Sequence, residues 1–246
     1  MHIGSINKKK NTNIKLVLRV ERRDNSEAES YIQTIVYETI NANATLATAL
    51  TDINNNHYLD ETGREVLPIM WQHACLQKKC GACAMVVNGI PRLACNCFLR
   101  DYKKDVVITP LRKFPIIKDL VVDRSLLFRN LELLETWIKG EANIADRDNE
   151  IVYETSKCLQ CGCCLEVCPN FHPEDNFYGA AAFVPTTGVL ASISAEYKKD
   201  IIDKYNVHIY EGCGKSLACQ KICPAGIDIE HMLINSNKIS FWKRKK

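Results

Sequence analysis

The stretch CLQCGCCLEVCP, residues 158–169, decides how this 246-residue chain is read. Cys158, Cys161, Cys164 and Cys168 stand at x2, x2 and x3 spacing, and Pro169 closes the run. That register is the ligand run of a bacterial-type 4Fe-4S cluster, and where two such clusters occur the fourth cysteine of each run serves the other one. A second run is therefore expected downstream. It stands at Cys213, Cys219 and Cys223-Pro224, with Ser216 where the second thiolate would be. Crossing the fourth ligands assigns Cys158, Cys161, Cys164 and Cys223 to a 4Fe-4S cluster and leaves Cys168, Cys213 and Cys219 for the other. Three thiolates beside a hard, high-pKa serine favour the loss of one iron, so a 3Fe-4S cluster is expected. A 4Fe-4S cluster ligated by Ser216 is the competing reading.

Working upstream, Cys75-x4-Cys80-x2-Cys83 with a distant Cys95 is the spacing of a plant-type 2Fe-2S site. Gly81 lets the backbone turn close to the sulfurs. The Asn88-Gly89 pair predicts a tight hairpin that returns Cys95 to the loop. Four thiolates also suit tetrahedral zinc, whose usual signature is paired C-x2-C knuckles. Cys97 and Cys163 are left over; Cys163 is out of register with the x2-x3 run, and both read as buried or spare thiols.

Composition narrows the alternatives. Thirteen cysteines in 246 residues fall below the roughly 8–10% that marks a disulfide scaffold. Residues 1–10 carry lysines without a following apolar stretch, so they do not read as a secretory signal, and reduced thiols are expected. The longest uncharged stretch, 177–194, is interrupted by Pro185, Thr186, Thr187 and Gly188, so no membrane span of roughly 20 apolar residues is expected. A net charge of +3 is too small to argue for nucleic acid. His57 sits in a polar loop and His73 has no partner histidine for a Rieske centre. No acid–base or nucleophile constellation stands out.

The two halves differ in pattern. Alternating β-branched runs at 14–21 and 31–37 predict strands, and 45–53 predicts a helix capped by Thr45. From 116 onward the period becomes helical. Leu127, Leu131, Leu134 and Ile138 form one stripe between an Asp123 cap and Gly140, and further helices are expected over 189–205, 214–222 and 228–237. Arg112-Lys113-Phe114-Pro115 marks the change.

A plant-type 2Fe-2S site followed by two bacterial-type sites, the last one cysteine short, resembles the iron-sulfur (B) subunit of the succinate dehydrogenase and fumarate reductase family. The resemblance covers nearly the whole chain and includes KLVLRVERRD (15–24), CGACAMVVNGIPRLAC (80–95) and IKDLVVD (117–123). It implies an α+β chain: an N-terminal plant-type ferredoxin (β-grasp) domain, 1–115, followed by an all-α bacterial-ferredoxin-like domain, 116–246. It further implies a flavoprotein (A) subunit, whose covalent FAD oxidises succinate or reduces fumarate, and one or more membrane anchor subunits with a quinone. This chain, non-catalytic alone, would relay electrons between them through 2Fe-2S, 4Fe-4S and 3Fe-4S clusters, peripheral on the cytoplasmic face of the cell membrane.

Two departures bear on the quinone end. Ubiquinone-reducing members place tryptophan after the Cys-Pro of the 3Fe-4S site and histidine after its next cysteine; here Asn170 and Gly214 stand there. The resemblance then implies a menaquinone-type or altered acceptor, with Pro169, Asn170, Phe171 and His172 as the quinone-proximal residues. The tail 239–246, ISFWKRKK, is expected to rest on an anionic membrane surface or on the anchor. The alternatives are an iron-sulfur relay of a related flavoprotein reducing another unsaturated acid, a heterodisulfide-reductase-like system, and a structural zinc-binding protein.

Overall fold

The structure is a computed structural model that describes residues 13–142 and 144–242, with no side-chain description for 147 and 238–242. The reading of 1–10 therefore falls outside the described residues, and of the 239–246 tail expected as a membrane contact only the backbone of 239–242 is described. Period-two alternation makes β1 (Ile14–Arg22) and β2 (Tyr31–Thr39) an antiparallel pair in which Leu18 faces Ile35. The chain then forms α1 (Leu46–Asn55), whose capping box is reciprocal: the Thr48 N–H donates to Thr45 Oγ1 at 3.3 Å and the Thr45 N–H to Thr48 Oγ1 at 3.2 Å. Leu46, Ala49, Leu50 and Ile53 are the buried stripe of this helix.

The hairpin β3 (Ala84–Val87) and β4 (Ile90–Leu93) turns on Asn88 and Gly89 at φ +50° and +78°, the two positive values a type I′ turn needs. With β5 (Asp105–Thr109), parallel to β1, the sheet order is β2-β1-β5-β3-β4. A small hairpin, β6 (Ile116–Lys118) and β7 (Val121–Val122), follows. Its tip carries Asp119, a buried carboxylate that accepts from Arg22 Nε at 2.9 Å and from the backbone N–H groups of Arg23 and Met70.

The change of pattern at 112–115 is thus not a break in packing. The hairpin beyond it is tied to β1, and one core runs from the sheet through Leu111, Phe114, Leu120 and Val122 to Cys161, Cys163 and Leu165. Glu166 reinforces the joint by accepting the N–H groups of Arg112 and Lys113 at 3.0 and 3.1 Å.

The expected all-α region over 116–246 thus opens with a β-hairpin, and only beyond it is the second half helical: α2 (Ser125–Leu133), α3 (Asn149–Ser156), α4 (Cys163–Glu166), α5 (Gly179–Ser192), α6 (Ala195–Tyr205), α7 (Ala218–Ile222) and α8 (Ile229–Trp242). The apolar stripe expected to reach Ile138 stops early. The chain turns at Glu135, φ +53°, and Ile138 is exposed.

The greatest difference from expectation is α5. Instead of one helix over 189–205, the chain runs helically through Pro185 to Ser192, breaks at an extended Ile193, and restarts as α6. Proline at 185 removes the N–H that would reach the Ala181 carbonyl, an otherwise costly loss in a buried helix. Gln160 Nε2 supplies that donor at 2.9 Å. Thr186, Thr187 and Ser192 turn their hydroxyls back onto carbonyls four residues earlier. Gly188 lets α3 approach: a Cβ there would sit 2.3 Å from Thr155 Oγ1.

Candidate metal centres

The first site is made by a loop. Leu76 and Lys78 take left-handed φ values of +53° and +60°, which alternate with their neighbours and turn successive amides inward. The N–H groups of Gln77 and Lys79 each point at Cys75 Sγ at 3.3 Å, and that of Lys78 at Cys95 Sγ at 3.3 Å. Cys95 sits in a single turn just after β4, and the Ala94 N–H donates to the Cys83 carbonyl at 3.0 Å. The hairpin thus brings Cys95 back to the loop that carries Cys75, Cys80 and Cys83.

Amide donors aimed at sulfur favour the thiolate. They hold the Cys75 thiol down to about 7, whereas burial pushes Cys83 up to about 12. The cradle therefore presents sulfur to a cationic group while keeping one side out of water, which fits an iron-sulfur cluster.

The second half is built differently. Cys158, Cys161, Cys164 and Cys223 line one hollow of about 390 Å³. Cys168, Cys213 and Cys219 line another, about 490 Å³, whose wall also includes Ser216, Asn170 and Phe183. Gly162 at φ +84° opens the turn into α4, which carries Cys164, and Cys168 follows shortly after its end. Helix α7 carries Cys219 and ends at Cys223, and it packs on α4. That contact lets each run contribute to both hollows. Ser216 Oγ is exposed and accepts the Ala218 N–H at 3.5 Å.

Burial pushes the Cys158 thiol up to about 11 and raises Cys164 well above its ordinary value. Thiols in such a place need a bound cation to stay deprotonated. A single tetrahedral zinc requires sulfurs converging on one point at about 2.3 Å; among the described residues no three Cys, His, Asp or Glu side chains do so. Cys97 and Cys163 line neither hollow and are buried in the sheet-side core.

Of the four quinone-proximal candidates, Pro169 and His172 are exposed and Phe171 is buried. Asn170 borders the three-cysteine hollow and donates to the Gly212 carbonyl at 3.0 Å. Gly214 leaves space for it, since a Cβ there would lie 2.9 Å from Asn170 Oδ1.

Three residues that spacing did not single out support these sites. Gln160 Nε2, besides capping Ala181, lies 3.2 Å from Cys158 Sγ. Lys113 donates its ammonium to the carbonyls of Cys168 and Phe171. Arg124 donates to the carbonyls of Gly81, Ala82 and Ala84. All three act largely on distant backbone carbonyls, which leave no pattern in the sequence.

The loops of the first and second sites touch. A Cβ on Gly81, φ +73°, would stand 2.7 Å from the Leu159 carbonyl oxygen and 2.8 Å from Cys161 Cβ.

Comparison with known proteins gives two family matches: a 2Fe-2S iron-sulfur cluster binding domain over residues 16–129 and a 4Fe-4S dicluster domain over 154–227. The chain is 30% identical over 208 residues to the succinate dehydrogenase iron-sulfur subunit of Bacillus subtilis (strain 168), covering 80% of this chain and 81% of that one. It is 30% identical over 216 residues to the fumarate reductase iron-sulfur subunit of Escherichia coli O157:H7, covering 84% and 85%. A chain of the Mycobacterium smegmatis Sdh1 complex in the apo form shares the fold, with a TM-score of 0.76, 22% identity, and coverage of 96% and 99%.

Proposed function

The chain belongs to the iron-sulfur subunits of the succinate dehydrogenase and fumarate reductase family, and from that premise we propose how its residues perform the relay. It is an electron-transfer subunit of a succinate:quinone or quinol:fumarate oxidoreductase, carrying electrons one at a time between an FAD-bearing subunit and a membrane quinone. Bound iron-sulfur clusters supply one-electron transfer without bond rearrangement. Cys75, Cys80, Cys83 and Cys95 would hold the 2Fe-2S cluster. Cys158, Cys161, Cys164 and Cys223 would hold the 4Fe-4S cluster, and Cys168, Cys213 and Cys219 the 3Fe-4S cluster.

The observation that carries this reading is the contact of Gly81 on Leu159 and Cys161, followed by the contact of α4 on α7. Both contacts support a path that runs through the three sites in that order. The β-grasp ferredoxin unit, 1–115, takes the flavoprotein end, and the bacterial-ferredoxin-like unit, 116–246, takes the quinone end near Asn170 and His172. Among the described residues no helix is long and apolar enough to cross a membrane. In this reading the chain sits peripherally, on an anchor subunit at the cytoplasmic face, as in the family it belongs to.

Anaerobically purified protein should be brown and carry about nine irons for the three cluster types together. Air-oxidised protein should give a 3Fe-4S EPR signal. Colourless protein with stoichiometric zinc overturns the relay. A silent oxidised sample whose spectrum changes in Ser216→Ala overturns the 3Fe-4S assignment in favour of a serine ligand.

A further inference from the structure

Arg124 follows β7 and opens α2, and its guanidinium reaches back into the first cysteine loop. Nη1 donates to the Gly81 carbonyl at 3.0 Å, and Nη2 to those of Ala82 and Ala84 at 2.8 and 3.2 Å. Nε is buried without a hydrogen-bond partner. None of the ion pairs among the described residues includes this side chain. Its acceptors are neutral carbonyls, and the ionisable groups that bear on it most strongly are the thiols of Cys161, Cys163, Cys83 and Cys80. The groups around it thus come from both loops, which meet at Gly81.

An arginine keeps its proton at neutral pH, so this is a fixed positive charge with no carboxylate within ion-pair distance among the described residues. A cation near a cluster stabilises whichever state holds the extra electron, and local net charge is one of the levers that sets cluster potentials. We propose that Arg124 is a tuning residue for the relay: its fixed charge, held between the Cys80–Cys83 loop and the Cys161–Cys163 turn, raises the reduction potentials of the first two clusters together. The larger effect falls on the 2Fe-2S cluster, because all three hydrogen bonds go to that loop or to the first residue of the strand that leaves it. The 3Fe-4S cluster is affected least, since its ligands Cys168, Cys213 and Cys219 are not among the groups that bear on Arg124 most strongly. The inference rests on the cluster assignment given above and adds to it a residue that no cysteine spacing contains.

The test is an EPR-monitored redox titration of the cluster-loaded full chain in its complex, comparing wild type with Arg124→Lys and Arg124→Gln. Glutamine keeps a hydrogen-bond donor and loses the charge; lysine keeps the charge and loses the fork. Arg124→Gln is expected to disfavour reduction of the 2Fe-2S cluster by about tenfold, a downward shift of ~59 mV for one electron. The 4Fe-4S midpoint should move the same way by less, and the 3Fe-4S midpoint should move least, as an internal control. Arg124→Lys should stay within about threefold of wild type, or ~28 mV.

A glutamine variant whose midpoints match wild type overturns the proposal. So do equal shifts in both variants, which would assign the effect to hydrogen bonding. Loss of the 2Fe-2S signal and its iron from Arg124→Gln also overturns it, because the side chain would then serve the fold of the loop. Failure of the cluster assignment is seen separately, in a wild-type protein that lacks the signals before any substitution is made.

Discussion

The cysteines of the sheet half and those of the helical half reach their positions by opposite routes. Cys75, Cys80 and Cys83 belong to one loop, the hairpin returns Cys95 to it, and the loop's own N–H groups point at the sulfurs of Cys75 and Cys95. In the helical half each hollow takes thiols from two runs separated by the whole of α5 and α6. A loop-built site needs little beyond its own backbone. A crossed site exists only when the surrounding helices have docked, so its metal binding and folding are one equilibrium.

The largest expected effect exposes that contrast directly. Cys223→Ala removes a thiol at the end of α7 from a hollow lined by both runs. It should cost about four irons and roughly 5 kcal/mol or more in the helical half. Cys75→Ala should cost only the two irons of the first site, because the sheet core closes without that sulfur. Iron analysis and thermal unfolding of the two variants check this; equal destabilisation would mean that the first site is not locally built.

Gly81→Ala challenges the contrast from the other side, because the local loop has one non-local contact. The methyl group would stand 2.7 Å from the Leu159 carbonyl oxygen on a backbone at φ +73°. Left-handed strain and overpacking together should cost about 3–5 kcal/mol. Cluster content should fall in both halves, read as loss of both reduced EPR signals. Loss confined to the 2Fe-2S signal would mean that the contact is not shared.

Gln160→Leu sharpens the account of the helical half. It strips the donor from the Ala181 carbonyl that Pro185 leaves unpaired, and from Cys158 Sγ. An unsatisfied buried carbonyl costs about 1–3 kcal/mol. Adding Pro185→Ala, which restores the helix's own N–H, should recover most of that loss in a thermal melt.

The same residue explains what the sequence could convey. Strands, the Thr45 cap and the Asn88-Gly89 turn were legible because each depends on neighbouring residues, and cysteine spacing separated the thiols into the sets that now surround each hollow. Helix α5 was not legible. Pro185, Thr186, Thr187 and Gly188 read locally as an interruption, and what restores the helix is a glutamine from another segment together with the close approach of Thr155. The change at 112–115 was legible as a change of period but not as a shared core. Asp119 and Glu166 carry that joint through backbone N–H groups far away in sequence.

The smallest effect compares the halves by their electrostatics. In the sheet half the Asp60 carboxyl is held down to about 2, first by the Thr62 hydroxyl and then by the Arg64 N–H and other neutral donors. In the helical half Glu135 is also held down to about 2, by the ammonium groups of Lys139 and of Lys204, the latter at 2.9 Å. Both folded-state values lie below the unfolded range near 4. Each therefore contributes stability that is present above that range and is lost as pH falls through about 2. The causes respond differently to salt, because the Debye length shrinks to about 3 Å at 1 M, which weakens a partly exposed charge pair such as Glu135–Lys204 but not short bonds to neutral donors. At pH 7 in low salt, Glu135→Gln and Asp60→Ala should each lower the apparent Tm slightly. In 1 M sodium chloride the Glu135→Gln deficit should shrink, while the Asp60→Ala deficit should persist. A Glu135 deficit undiminished by high salt would assign its low pKa to hydrogen-bond geometry alone, as in the sheet half, and remove this distinction between them.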